Sequence, residues 1–167
     1  MVIVMQTSLP SVKEIWSWLD SVADPEIPVL SVIDLGIVRD ISWTEQAGDS
    51  TLVVTITPTY SGCPATAVIK EDLRKALQQR GLTRVQIETQ LSPAWTTDWM
   101  TERGRSRLLE YGIAPPGARR QSLSPAVSCP RCSSADTRLV SQFGSTPCKA
   151  FYICNSCLEP FDYFKCH

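Results

Sequence analysis

Histidine occurs once among the 167 residues, as His167. General acid–base chemistry near neutral pH therefore lacks its commonest agent. No Ser/His/Asp triad can be assembled, and there is no glycine-rich phosphate loop. These gaps argue against a chain that is catalytic alone. No run approaches 18 apolar residues, so no membrane span is expected. Residues 1–11 have neither the basic region nor the long apolar stretch of an export signal, which leads to the expectation of a cytoplasmic chain. Excess charge is missing as well. The net charge is −1, and residues 1–90 carry 7 basic against 11 acidic groups, so a nucleic-acid partner is not expected. Internal repeats and low-complexity tracts are absent.

Cysteine is abundant and concentrated. Six of the 7 lie in the last 40 residues, and four of these form the pairs Cys129/Cys132 and Cys154/Cys157, separated by 21 residues. This spacing is close to that of two zinc knuckles in a ribbon. Each knuckle turns both thiolates toward one ion, and four thiolates close a tetrahedral site with no open position. Structural zinc is the expectation. An iron–sulfur cluster and redox disulfides remain alternatives, because four thiolates also suit iron. A reducing compartment favours metal over disulfides. Ribbons often bind DNA or RNA, yet residues 128–167 carry only 4 basic and 3 acidic groups, a near-neutral surface.

The remaining chain reads as a small two-layer α/β domain of order α-β-β-α-β. Ser11 with Glu14 makes a capping box, and Val12, Ile15, Trp16, Leu19 and Val22 form one helical apolar stripe. Strands Ile37–Thr44 and Thr51–Thr57 flank a polar turn over 45–50. A second helix opens at Cys63-Pro64 and buries Ala65, Val68, Ile69, Leu73, Ala76 and Leu77, with Gly81 as its cap. A third strand is expected over Thr83–Gln90. A further helix, weakened by Gly104, spans Asp98–Tyr111, and a proline-rich linker follows. Ribbon strands are expected at Thr137–Phe143 and Lys149–Ile153. The units are thus 1–92, a helix and linker over 93–127, and a ribbon over 128–167. About 40 residues are few for a self-sufficient core, and metal binding would supply the missing stability.

Cys63 stands apart from the ribbon cysteines. It sits at the expected helix N-terminus, where backbone amides and the helix dipole favour a thiolate. It could act as nucleophile, metal ligand or redox sensor, or simply be a small buried residue. Asp24, Glu26 and Asp34 form an acidic loop set that would lie near Cys63 if the loop folds back. Carboxylates with a thiolate can hold a hard or borderline metal. Equally, Asp24 or Asp34 could cap a turn while Glu26 stays solvated. Cys148 and Cys166 have no knuckle partners and read as second-site ligands or small buried residues, the latter being favoured.

Three ordered motifs resemble the signature of the MIP-type iron–sulfur assembly-factor family: Asp24-Pro25-Glu26-Ile27-Pro28, Ile33-Asp34-Leu35-Gly36-Ile37-Val38, and Pro58-Thr59-Tyr60-Ser61-Gly62-Cys63-Pro64. This resemblance covers about residues 10–92. It implies a role in iron–sulfur protein maturation and the family's retained cysteine at Cys63, with transient iron or a cluster as cargo. Beyond it, Ala94 to Trp99, Tyr111 to Pro116 and Glu159 to Cys166 resemble the PaaD family of phenylacetyl-CoA epoxidase systems, nearly end to end. That implies an accessory assembly role beside a di-iron oxygenase and a flavin- and iron–sulfur-containing reductase, the expected partners. The chain has no Glu-x-x-His pair of the kind used by di-iron centres, so oxygenation would belong to the complex.

Overall fold

A computed structural model describes residues 9–46, 48–117 and 127–165. Cys166 and His167 lie outside the described residues. Helix α1 (Val12–Leu19) starts as the sequence indicates. The Glu14 amide donates to Ser11 Oγ at 3.3 Å, and the Ser11 amide donates to Glu14 Oε2 at 2.9 Å. The helix buries Ile15 and Leu19; it ends before Val22, which is nevertheless buried. Strands β1 (Val38–Gln46) and β2 (Asp49–Ile56) form an antiparallel hairpin whose pairing runs to Gln46 opposite Asp49. The strands therefore extend into the expected turn, because the ladder continues to bond there. Helix α2 (Ala65–Gln78) crosses to β3 (Val85–Thr89), which pairs parallel to β2, giving the order β1-β2-β3. The core of this unit includes Leu52, Val54 and Ile56 from β2 and Ile69, Leu73 and Leu77 from α2, while Val68 faces solvent. The mixed α/β class and the element order agree with the sequence reading.

The segment after β3 departs from expectation. The helix expected over 98–111 is split into a short 3-10 turn (Thr97–Trp99) and α3 (Glu102–Tyr111). Extended Met100 ends the first, and Thr101 caps the second, its hydroxyl accepting from the Gly104 amide at 2.9 Å. Gly104 is a packing requirement, since a Cβ there would sit 3.0 Å from the Asp34 carbonyl oxygen. Ile113–Ala114, expected at the start of a linker, is strand β4. It pairs parallel to β7 (Pro160–Phe164), a ribbon strand that the sequence reading did not anticipate. With β6 (Lys149–Cys154) and β5 (Thr137–Ser141), the second sheet runs β4-β7-β6-β5.

Two devices hold the later segments against the first unit, one joining the ribbon to it and one joining α3. One is apolar: Phe164 and Cys148 enter the same buried cluster as Leu35, Ile37 and Ile69. Trp95 meets Phe164 edge-on at 6.1 Å, and its indole N–H donates to the Leu35 carbonyl at 2.8 Å. The other is ionic. The fully buried Asp34 carboxylate accepts from Arg103 Nε at 2.7 Å, Arg107 Nη1 at 2.8 Å and the Thr101 hydroxyl at 3.0 Å. Arg103 also pairs with Asp20. Burial pushes Asp34 upward, but the Arg103, Ser31 and Thr101 donors outweigh it and hold the group below its ordinary 3.8.

Trp95→Ala should lower stability by about 3–5 kcal/mol, read by urea unfolding, and should separate a ribbon transition from that of the first unit. Asp34→Asn should cost roughly 3 kcal/mol at neutral pH, because Arg107 loses this carboxylate and Arg103 is left with Asp20 alone. A depressed folded-state pKa stabilises above the unfolded value and is lost as pH falls through the folded one. The wild-type advantage should therefore be constant at pH 5–7 and shrink as pH drops below about 4. An unchanged gap at pH 2.5 would refute this assignment.

Candidate metal and thiol sites

The ribbon thiols converge. Cys129, Cys132, Cys154 and Cys157 place their sulfurs within 4.8 Å of one another. Cys129 Sγ lies 3.7 Å from Cys157 Sγ, and Cys132 Sγ lies 3.6 Å from Cys154 Sγ. A tetrahedron of metal–sulfur bonds of about 2.3 Å has edges of about 3.8 Å, so the quartet fits one four-coordinate ion. These separations are far beyond the S–S bond length of about 2.05 Å. Local turns build the quartet. The Ser133 amide donates to the Cys129 carbonyl at 2.9 Å, with Ser133 in the left-handed region, and the Leu158 amide donates to the Cys154 carbonyl at 3.0 Å, with Leu158 likewise left-handed. The Cys157 amide points at Cys154 Sγ from 3.4 Å. Backbone amides, that of Cys157 foremost, draw the Cys154 thiol well below its ordinary value, whereas at Cys132 and Cys157 the pull of the backbone amides is outweighed by the neighbouring sulfurs, which push the thiols up.

The second site lies in the seam between the units. Pro58 leads into a turn closed by the Cys63 amide donating to the Tyr60 carbonyl at 3.3 Å, and Gly62 takes φ +85°. Cys63 is thereby placed, half-buried, just before α2. It lines a cavity with Asp24, Glu26, Cys148 and Phe164. The cavity's free volume is about 20 Å³, room for one water-sized occupant. The Tyr60 side chain contacts Cys63, and burial together with that contact pushes its hydroxyl up to about 12.

The acidic residues fall into two groups. Asp24 and Glu26 reach the cavity, as the fold-back of their loop would require. Asp24 also works as a turn cap: its Oδ1 accepts from the Glu26 and Ile27 amides at 2.9 and 2.8 Å. Burial raises its pKa despite these donors. Asp34 does not line the cavity, because Arg103, Arg107 and Thr101 engage both its oxygens. Cys148 is the residue whose partner the sequence did not disclose. It is buried at 4% exposure, and its thiol lies 3.6 Å from Glu26 Oε2. The only sequence signal was its lack of a knuckle partner.

Comparisons with known proteins match two successive stretches of the chain. Residues 13–88 match the iron-sulfur cluster assembly protein family, and residues 114–165 match the PaaD zinc beta ribbon domain. A Porphyromonas gingivalis protein named as an Fe-S protein maturation auxiliary factor is 35% identical, covering 63% of this chain and 94% of its own. The crystal structure of a domain of unknown function from Bacillus anthracis superposes with a TM-score of 0.51 at 26% identity, covering 57% of this chain and 89% of that one. An Escherichia coli K12 protein named as a 1,2-phenylacetyl-CoA epoxidase component is 55% identical over 94% of both chains. With both units matched in order and near-complete coverage at that identity, the chain belongs to the PaaD family of phenylacetyl-CoA epoxidase systems.

Proposed function

We propose that this chain is an accessory maturation component of a multicomponent phenylacetyl-CoA epoxidase, serving assembly of an iron–sulfur or di-iron centre in aerobic phenylacetate degradation. The observation that carries the reading is the Cys63 cavity, where a half-buried thiol shares an ion-sized space with the carboxyls of Asp24 and Glu26. A thiol and carboxylates offer donors acceptable to iron. The likeness to Fe-S maturation factors supports the same reading. In this proposal Asp34 positions the loop and does not handle metal. Partners would be the oxygenase or the iron–sulfur reductase component. Among the described residues no helix is long and apolar enough to cross a membrane.

The ribbon would hold zinc through Cys129, Cys132, Cys154 and Cys157. Two features support zinc: a single-ion spacing and the ribbon family match. An iron–sulfur cluster distributes its thiolates over several irons and would spread them wider. In this proposal the ribbon, with Leu139, Val140, Phe143 and Leu158 exposed, would dock a client protein of the complex. That same surface supports the second reading, a purely structural component without metal transfer.

Elemental analysis should give about one zinc per chain with no visible absorption. Chelation should expose four further thiols to titration and melt the second sheet, because metal binding supplies folding energy in such small units. Brown protein containing iron and sulfide would replace the zinc assignment. Cys63→Ala should abolish activation of the epoxidase in cells, at least tenfold in activity and in client metal content, while co-purification with the complex persists. Full activation by that variant would leave the structural reading in place.

A further inference from the structure

Cys148 belongs to neither zinc knuckle, and its position is built. It closes the loop from Gly144, which is tied down by the Ser145 hydroxyl donating to Asp162 Oδ2 at 2.7 Å and by Lys149 Nζ 3.5 Å from the same oxygen. The Lys165 amide donates to the Cys148 carbonyl at 3.0 Å, fixing the backbone just before β6. These contacts direct the thiol out of the ribbon, into the first unit's core and onto the cavity that Cys63 lines. Its neighbours there are the Thr146 hydroxyl at 3.0 Å and the Glu26 carboxylate. Burial, chiefly, pushes the thiol up to about 11, so at neutral pH it is protonated. A packing role alone would be filled by alanine or valine; here a second thiol and two carboxyl groups share a space sized for one ion.

We infer that Cys148 completes the Cys63 site, so that Cys63, Cys148 and Glu26 form a second, interdomain set for one soft or borderline divalent cation, ferrous ion being the cargo. Two thiolates and a carboxylate match the preferences of such ions, and three protein ligands leave a fourth position for water or a client ligand. On binding, each thiol exchanges its proton for a metal–sulfur bond. Two protons go to solvent and no oxidation state changes. Among the described residues, only the ribbon quartet has donors within 4.8 Å of one another. The seam site must therefore draw its ligands inward to bind, and that reorganisation weakens the affinity. Weak binding suits cargo that must leave, as the preformed quartet suits a resident ion. The inference rests on the maturation reading for the cargo's identity, though not for the binding itself.

The test uses the full chain with its ribbon loaded with one equivalent of zinc, titrated anaerobically with cobalt(II) as a spectroscopic probe. Cobalt does not displace zinc from four thiolates readily, since zinc binds more tightly in the divalent series. The wild type should take up a further equivalent with thiolate-to-cobalt charge-transfer absorption, and X-ray absorption should count two sulfur neighbours. Cys63→Ser and Cys148→Ser should each weaken binding at least tenfold at unchanged zinc content. Glu26→Gln should weaken it severalfold while the band per bound cobalt persists. No second equivalent, a single sulfur neighbour, or wild-type affinity in Cys148→Ser would overturn the inference. The sulfur count needs no variant, so it decides the matter even if Cys148→Ser misfolds. Loss of binding in Cys63→Ser alone would remove Cys148 from the site and leave the maturation reading standing. The cellular Cys63→Ala experiment judges that reading separately.

Discussion

The buried seam between ribbon and α/β unit is the contact on which the rest of the structure depends. A ribbon of about 40 residues buries too little apolar surface to be stable unaided. Its own cluster is small, built around Val127, Ala150, Phe161 and Tyr163. The ribbon extends that core by inserting Phe164 and Cys148 among side chains of the first unit, and Trp95 seals the junction. β4 adds a strand to the ribbon directly after α3. The orientation of the ribbon is consequently fixed by packing and not left to a linker.

That fixed orientation gives the cysteines two different kinds of work. The quartet is held by local turns whose amides and left-handed residues aim four sulfurs at one point. Such preorganisation favours a tightly held, coordinatively closed ion. Cys63 and Cys148 come from separate units and meet across a cavity with carboxylates beside them. Their geometry is looser, which favours exchange over retention.

The Asp34 ion network shows how a motif residue can be structural. Its position within the Ile33-Asp34-Leu35-Gly36 motif invited a metal-ligand reading beside Asp24 and Glu26. In the fold it is the anchor that attaches the loop before β1 to the start of α3, with Gly104 packed against it. Gly36 works nearby at φ +67°, where a Cβ would collide with the Trp99 carbonyl. The loop carrying Asp24 and Glu26 is thereby held over the cavity by a carboxylate that does not enter it.

Local chemistry in the sequence determined the starts of α1 and α2, the hairpin, the order of elements in the first unit and the convergence of the cysteine quartet. Each of these depends on residues close in the chain: a capping box, an alternation, a Cys-x-x-Cys turn. The resemblance of three ordered motifs to assembly factors likewise singled out Cys63. The sequence could not reveal that Asp34 pairs with Arg103 and Arg107, about 70 residues later, because an ion pair leaves no periodic trace. Nor could it show β7, whose short Pro160–Phe164 segment has neither clear alternation nor turn signals of its own. The meeting of Cys148 with Glu26 and the Cys63 cavity was decided by tertiary packing alone. It arises where two independently legible units bury surface against each other, and no local pattern encodes the side of a shared core on which a thiol will emerge.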